Sequence, residues 1–167
     1  YMPKPIIAAV NGVAAGAGFS LVMACDVVIA AENAQFVTAY GRVGACGDFG
    51  MSYLLPRTVG YHRACELFFT NRRLSAKEAE ELGIVNKVVP ADKVMEEAEA
   101  FAKKIIEECA PLALGIFKQN MARGIDMCLE DELRDESVGM AVCSRTKDWA
   151  EGISAFREKR APAWKGE

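Results

Sequence analysis

The stretch NGVAAGAGFSLVMACD, residues 11–26, sets Gly12, Gly16 and Gly18 among small residues, between the apolar run PIIAAV and a helical pattern. A strand, a glycine-rich turn and a helix present bare backbone N–H groups, which suit an anion or an oxygen gaining negative charge. Three kinds of chemistry use such a turn. The spacing G-x-x-x-G-x-G suits a dinucleotide, and Glu32 ends the next strand, where a ribose-binding acid would stand. Dehydrogenases with that spacing also need a tyrosine four residues before a lysine. The fourth residues after Tyr1, Tyr40, Tyr53 and Tyr61 are Pro5, Gly44, Arg57 and Cys65, so the pair is missing. A nucleophile elbow requires G-x-S-x-G. GFSLV and GMSYL supply Ser20 and Ser52 with the first glycine and without the second, and the single histidine, His62, leaves a serine triad little to draw on. The third option is a carbonyl oxygen. Each N–H aimed at an oxygen that becomes charged is worth roughly 2.7–4 kcal/mol, and small residues let a substrate approach the backbone closely.

The elements that position this turn read as compact α/β structure. Residues 5–10 and 27–31 are near-continuous apolar strands of the parallel type, with a short helix over 17–24 between them. A short strand is predicted at 34–36, followed by a loop over 37–50 rich in small residues, of the kind that lines a site. Helical spacing from Met51 to Phe69 is broken by Gly60. Ser75 and Glu78 form a capping box before the helix that Gly83 ends, and IVNKVV reads as a strand. Beyond residue 92 only helices are predicted, over 94–109, 111–124, 129–142 and 147–158. The chain thus divides into an α/β part, 1–92, and a helical part, 93–167. Met121, Met127 and Met140 suit gap-filling in the packing of these helices.

Composition bounds the partners. The 167 residues are 51% apolar, enough for a real core, and the net charge of −3 argues against a nucleic-acid footprint. No run approaches a membrane span, and no charged-then-apolar leader opens the chain. The six cysteines form no C-x-x-C pair, and one histidine cannot build a multi-histidine metal site, so no metal is expected. Reduced, mostly buried cysteines and a cytoplasmic location fit this pattern.

The stretch KPIIAAVNGVAAGAGFSLVMACDVVIAAENAQF resembles the crotonase, or enoyl-CoA hydratase/isomerase, family, as do RRLSAKEAEELGIVNKVVP and EGISAFREKR further on. The resemblance implies a crotonase-like spiral of β-β-α turns with an all-helical C-terminal tail. It implies an acyl-CoA substrate, with coenzyme A as part of that substrate and no separate cofactor. The N–H of Ala17, flanked by Gly16 and Gly18, corresponds to one of two donors that hold the thioester oxygen. The second donor and a loop gripping coenzyme A belong to an N-terminal portion of the family chain, so the sequence corresponds to the C-terminal two-thirds of a subunit. Hydratases of the family place glutamates at the positions of Ser20 and Tyr40, and both are missing here. Asp48, beside Gly47 in GACGDFGMS, is the remaining candidate base, and isomerase-type proton transfer through a thioester enolate is favoured. Burial beside Phe49 would suit it to return a proton. Its rival reading is an N-cap of the helix beginning near Gly50. Phe156 and Lys159 match an aromatic and a lysine at the adenine end of coenzyme A, with Phe156 as ordinary core the alternative. A homo-trimer or hexamer is expected. A non-catalytic acyl-CoA-binding or structural subunit would also lack both glutamates.

Overall fold

A computed structural model describes residues 2–167. The described chain forms two compact units, Ile6–Ala100 and Phe101–Glu167, the latter joined by the residues up to Pro5.

In the first unit, the first four strands alternate between two small sheets. Strands β1 (Ile7–Val10), β3 (Val27–Ala31) and β6 (Lys87–Val89) form a parallel sheet in the order β1-β3-β6, with Ile7 opposite Val27 and Ile29 opposite Lys87. Strands β2 (Val13–Ala15), β4 (Gln35–Val37) and β5 (Leu74–Ser75) form the other, with β2 parallel and β5 antiparallel to β4. Helices α1 (Ala17–Met23), α2 (Met51–Val59), α3 (Tyr61–Thr70) and α4 (Ala76–Glu81) follow their strands. This is the crotonase-like β-β-α succession. The core lies under both sheets, where Phe19 and Phe36 meet with ring centroids 5.5 Å apart and Met51, Leu55 and Leu74 are fully enclosed.

Polar side chains tie the strand ends. Asp26 accepts from the N–H of Ile6 at 2.7 Å, and Asn86 accepts from Val28 at 2.7 Å while donating its own N–H to the Val28 carbonyl. The capping box is formed in full: Ser75 Oγ accepts from the Glu78 N–H at 3.2 Å, and the Glu78 carboxylate accepts from the Ser75 N–H at 2.8 Å. Gly60, at φ 85°, separates α2 from α3.

Three strands differ from the sequence reading. IVNKVV is strand only from Lys87, because the N–H groups of Ile84 and Val85 turn back to the Ala79 carbonyl at 2.9 and 3.1 Å and close α4. Strands β2 and β5 are three and two residues long, too short to show alternation.

The second unit is helical. Helix α5 (Val94–Glu108) begins in the α/β unit, where Val94 and Ala98 join the core. The boundary expected at residue 92 falls in the turn before α5, and the α/β unit continues to Ala100. Helices α6 (Pro111–Gly124) and α7 (Leu129–Cys143) pack together, and α8 (Lys147–Glu158) is capped by Thr146, whose Oγ1 accepts from the Trp149 N–H at 3.0 Å. Buried Asp148 accepts from the N–H groups of Lys165 and Gly166, which fastens the C-terminal segment. Met121, Met127 and Met140 are exposed, so they fill no gaps within this chain. None of the six cysteines is buried; Cys46 and Cys128 are exposed and the others half-buried. Their places on helix flanks and on an exposed loop, rather than on core faces, account for that difference.

Candidate active site

The site candidates of the α/β unit gather around two backbone features. The first is the turn into α1. Gly16 stands at φ 51°, ψ −122°, a conformation that glycine adopts without penalty. Its N–H donates to the Val37 carbonyl at 3.1 Å and its carbonyl accepts from the Ser20 N–H at 3.0 Å. With the Gly16 carbonyl held by the Ser20 N–H, the trans peptide it shares with Ala17 turns the Ala17 N–H the opposite way, out of the helix N-terminus. Among the described residues, the Ala17 N–H has no hydrogen-bond partner. Ala17 is half-buried and Gly18 exposed, so the N–H is reachable.

The second feature is the loop from Thr38 to Gly50. Left-handed backbone recurs along it, at Ala39, Gly44, Gly47, Phe49 and Gly50. For Ala39 and Phe49 that conformation costs energy that neighbouring contacts must offset. A one-turn 3-10 segment, Tyr40–Val43, is held by the N–H of Ala45 on the Tyr40 carbonyl at 3.0 Å. The Tyr40 ring is buried, stacks on Phe68 at 6.2 Å, and lies about 4 Å from the place of a Cβ on Gly16. The glycine turn and the Tyr40 loop are therefore in contact.

Ser20, Tyr40 and Asp48 form one chain of hydrogen bonds. The Tyr40 hydroxyl donates to Asp48 Oδ1 and lies 2.6 Å from Ser20 Oγ. Burial, and next the bond to the Asp48 carboxylate, push the Tyr40 phenol above its ordinary value, so the proton stays on the phenol near neutral pH. Asp48 does not cap α2. Gly50 is the N-cap, without a side-chain hydrogen bond, and the Asp48 side chain is engaged by Tyr40 instead. The burial expected beside Phe49 is not observed: Asp48 is exposed and Phe49 is 63% exposed. Gly47, at φ 109°, faces Met51 and Phe68, which with Cys46, Leu55 and Phe69 line an apolar cavity of about 190 Å³.

Phe156 and Lys159 stand at the end of α8 in the helical unit. Phe156 is 85% exposed, so it is not core. Lys159 takes the left-handed C-cap position at φ 55°, and among the described residues it has no ion pair. Its neighbour Arg160 is engaged by Glu151 and Glu158. Among the described residues no cluster of three His, Cys, Asp or Glu side chains could hold a metal ion, and no helix is long and apolar enough to cross a membrane.

Sequence reasoning did not find the Ser20–Tyr40–Asp48 chain. Its members lie 20 and 8 residues apart on a helix, a 3-10 turn and a loop, so no local spacing marks it.

The chain matches the enoyl-CoA hydratase/isomerase family over residues 1–167. It is 38% identical over 165 residues to the 1,2-epoxyphenylacetyl-CoA isomerase of Escherichia coli (strain K12), covering 99% of this chain and 63% of that protein. It is 39% identical over 159 residues to the short-chain-enoyl-CoA hydratase of Clostridium acetobutylicum, covering 95% and 60%. The crystal structure of an enoyl-CoA hydratase from Bacillus anthracis superimposes with a TM-score of 0.94 at 41% identity, covering 99% of this chain and 64% of that one. The chain belongs to the enoyl-CoA hydratase/isomerase family. It spans 60–64% of the length of these relatives.

Proposed function

We propose that the protein acts on acyl-CoA thioesters by enoyl-CoA hydratase/isomerase-type chemistry, with isomerisation as its main reaction. Asp48 takes the proton from the carbon beside the thioester carbonyl. The electron pair spreads onto the carbonyl oxygen, where the N–H of Ala17 supplies part of the stabilisation. Asp48 then returns the proton two carbons further along, which moves the double bond into conjugation. A single carboxylate suffices for this exchange, whereas hydration also requires a positioned water.

The observation that carries the reading is the pairing of an unengaged Ala17 N–H with an Asp48 carboxylate that Tyr40, and not the helix, engages. Coenzyme A enters as part of the substrate, and Phe156 and Lys159 are proposed to meet its adenine end. The exposed apolar side chains of the helical unit support a homo-trimer or hexamer, which sedimentation of the full-length protein at micromolar concentration would resolve from a monomer.

The deciding assay follows absorbance with 2-enoyl-, 3-enoyl- and dienoyl-CoA esters. Turnover should be fastest on 3-enoyl or dienoyl esters, and Asp48→Asn should lower it about 100- to 10,000-fold, the usual span for losing a general base. Full activity of Asp48→Asn on the best substrate would remove Asp48 from the mechanism. Tight binding of the esters without turnover would instead mark a non-catalytic acyl-CoA-binding subunit.

A further inference from the structure

We propose that Tyr40 is a positioning residue that holds the Asp48 carboxylate by one oxygen, with Ser20 setting the direction of the bond. This rests on the reading of Asp48 as the base. The two residues stand where hydratases of the family carry glutamates, yet neither can exchange protons near neutral pH. Their geometry gives them a different task.

The Asp48 side chain has little else to hold it, although the backbone carbonyl of Asp48 accepts from the Met51 N–H at 3.0 Å. It is exposed and lies between left-handed residues, Gly47 before it and Phe49 and Gly50 after it. Among the described residues, the Tyr40 hydroxyl is the one hydrogen-bond partner of its side chain, and it engages Oδ1. Oδ2 is left for a substrate proton. Tyr40, by contrast, is fixed on every side. Its ring is buried against Phe68, its N–H donates to the Thr38 carbonyl at 2.8 Å, and its carbonyl accepts from Ala45. The Thr38 hydroxyl in turn donates to the Leu67 carbonyl at 3.1 Å inside the core. A rigid, buried phenol therefore supports a carboxylate on an otherwise weakly held loop.

The proton count fixes the direction. A phenol has one proton and an ionised carboxylate only accepts. The Tyr40 proton is therefore spent on Asp48, and Ser20 must donate to the Tyr40 oxygen. Ser20 Oγ has one other acceptor within reach, the Gly16 carbonyl, at 3.4 Å against 2.6 Å to Tyr40. The shorter contact wins, and the chain runs Ser20 to Tyr40 to Asp48. Ser20 is fully buried, so it acts through Tyr40 and touches no substrate.

The test measures kcat and KM of the full-length protein, its Tyr40→Phe, Ser20→Ala and double variants, and Asp48→Asn, on the best enoyl-CoA ester. Folding is checked by circular dichroism. Tyr40→Phe keeps the ring and removes only the hydroxyl. It should lower kcat about 10- to 100-fold and leave KM within about twofold, the span of one hydrogen bond to a charged group. Ser20→Ala should lower kcat about two- to fivefold in the wild-type background and not at all in the Tyr40→Phe background, because residues of one chain are not additive. If Asp48→Asn is inactive while Tyr40→Phe keeps kcat within twofold, the proposal is overturned and Asp48 stands as the base. If Asp48→Asn is active, the base assignment and the proposal fall together. Should Tyr40→Phe not fold, Ser20→Ala decides, and an unchanged kcat overturns the proposal.

Discussion

In the α/β unit many large apolar side chains are buried in one core, although Val43, Tyr61 and Phe69 stay at the surface; in the helical unit most of them face solvent. Phe19, Phe36 and Leu74 are at most 1% exposed, while Ile106, Leu129 and Phe156 are at least 70% exposed. Beyond Ala98, Ala155 is the single buried hydrophobic among the described residues. Both units carry amphipathic helices, with the apolar stripe strong in α2, α3, α5 and α8 and weaker in α6 and α7. The difference lies in what each stripe meets. The helices of the α/β unit lie over two sheets, which supply a continuous apolar surface. Helices α6 and α7 pack mainly on each other, with Gly115 of α6 also set against Pro3, and they meet closely because Gly139 has no side chain: a Cβ there would come within 2.7 Å of Ile116 Cγ2. Close backbones bury little area. Periodicity reports that a helix has an apolar face and says nothing of what covers it.

Truncation in the two units sharpens this contrast. Phe36→Ala should cost about 3–5 kcal/mol in urea unfolding, as large core truncations do, while Phe156→Ala should stay within about 0.5 kcal/mol. A cost above about 2 kcal/mol at Phe156 would break the comparison, because it would mean that a second copy of the chain covers that face. Gly139→Val should cost about 1–3 kcal/mol through overpacking against Ile116. Loss at that level within a unit poor in buried side chains would place its stability in backbone approach.

Smaller effects separate the units by function and by pH. Lys159→Ala should weaken binding of an acyl-CoA ester about two- to fivefold, the worth of an exposed charge contact, and leave the melting temperature unchanged. Equal affinity by calorimetry would detach the helical unit from ligand binding. The weakest effect concerns Glu151. A hydrogen bond from Arg160, and next one from the Ala163 N–H, hold its carboxyl down at about 2, against an ordinary 4.5. Its folded value is depressed, so its contribution is present above about 4.5 and is lost as the pH falls toward about 2. Glu151→Gln should flatten the acid slope of stability in that window, read by chemical unfolding at each pH.

Much of the α/β unit was legible because its signals are local. The Ser75–Glu78 box, the Gly60 break and the apolar runs of β1 and β3 each announce themselves within a few residues. Strands β2 and β5 were not legible, since two or three residues cannot show a period, and they exist by pairing with β4. In the site, the glycine turn could be read from spacing, and Ala17 within it from the resemblance to the family. The role of Asp48 could not, because a cap and a partner of Tyr40 look alike until Gly50 is seen to hold the N-cap. For Phe156, core and surface depend on what packs on α8, which no local pattern encodes. The exposure of Asp48 likewise belongs to a loop with left-handed residues on both sides of it.

Ser75 is both the last residue of β5 and the N-cap of α4. No residue stands between strand and helix, so neither opens without the other. Through Gln35 the strand is paired to β4, the Gln35 N–H donates to the Gly12 carbonyl, and the last carbonyl of β4, on Val37, receives the N–H of Gly16. The amide protons of Gly16, Gln35 and Glu78 should therefore be released together, which deuterium exchange would check. They should share one free energy of opening, higher than that of fraying helix ends, and the turn beside Ala17 keeps its shape for as long as that opening is rare.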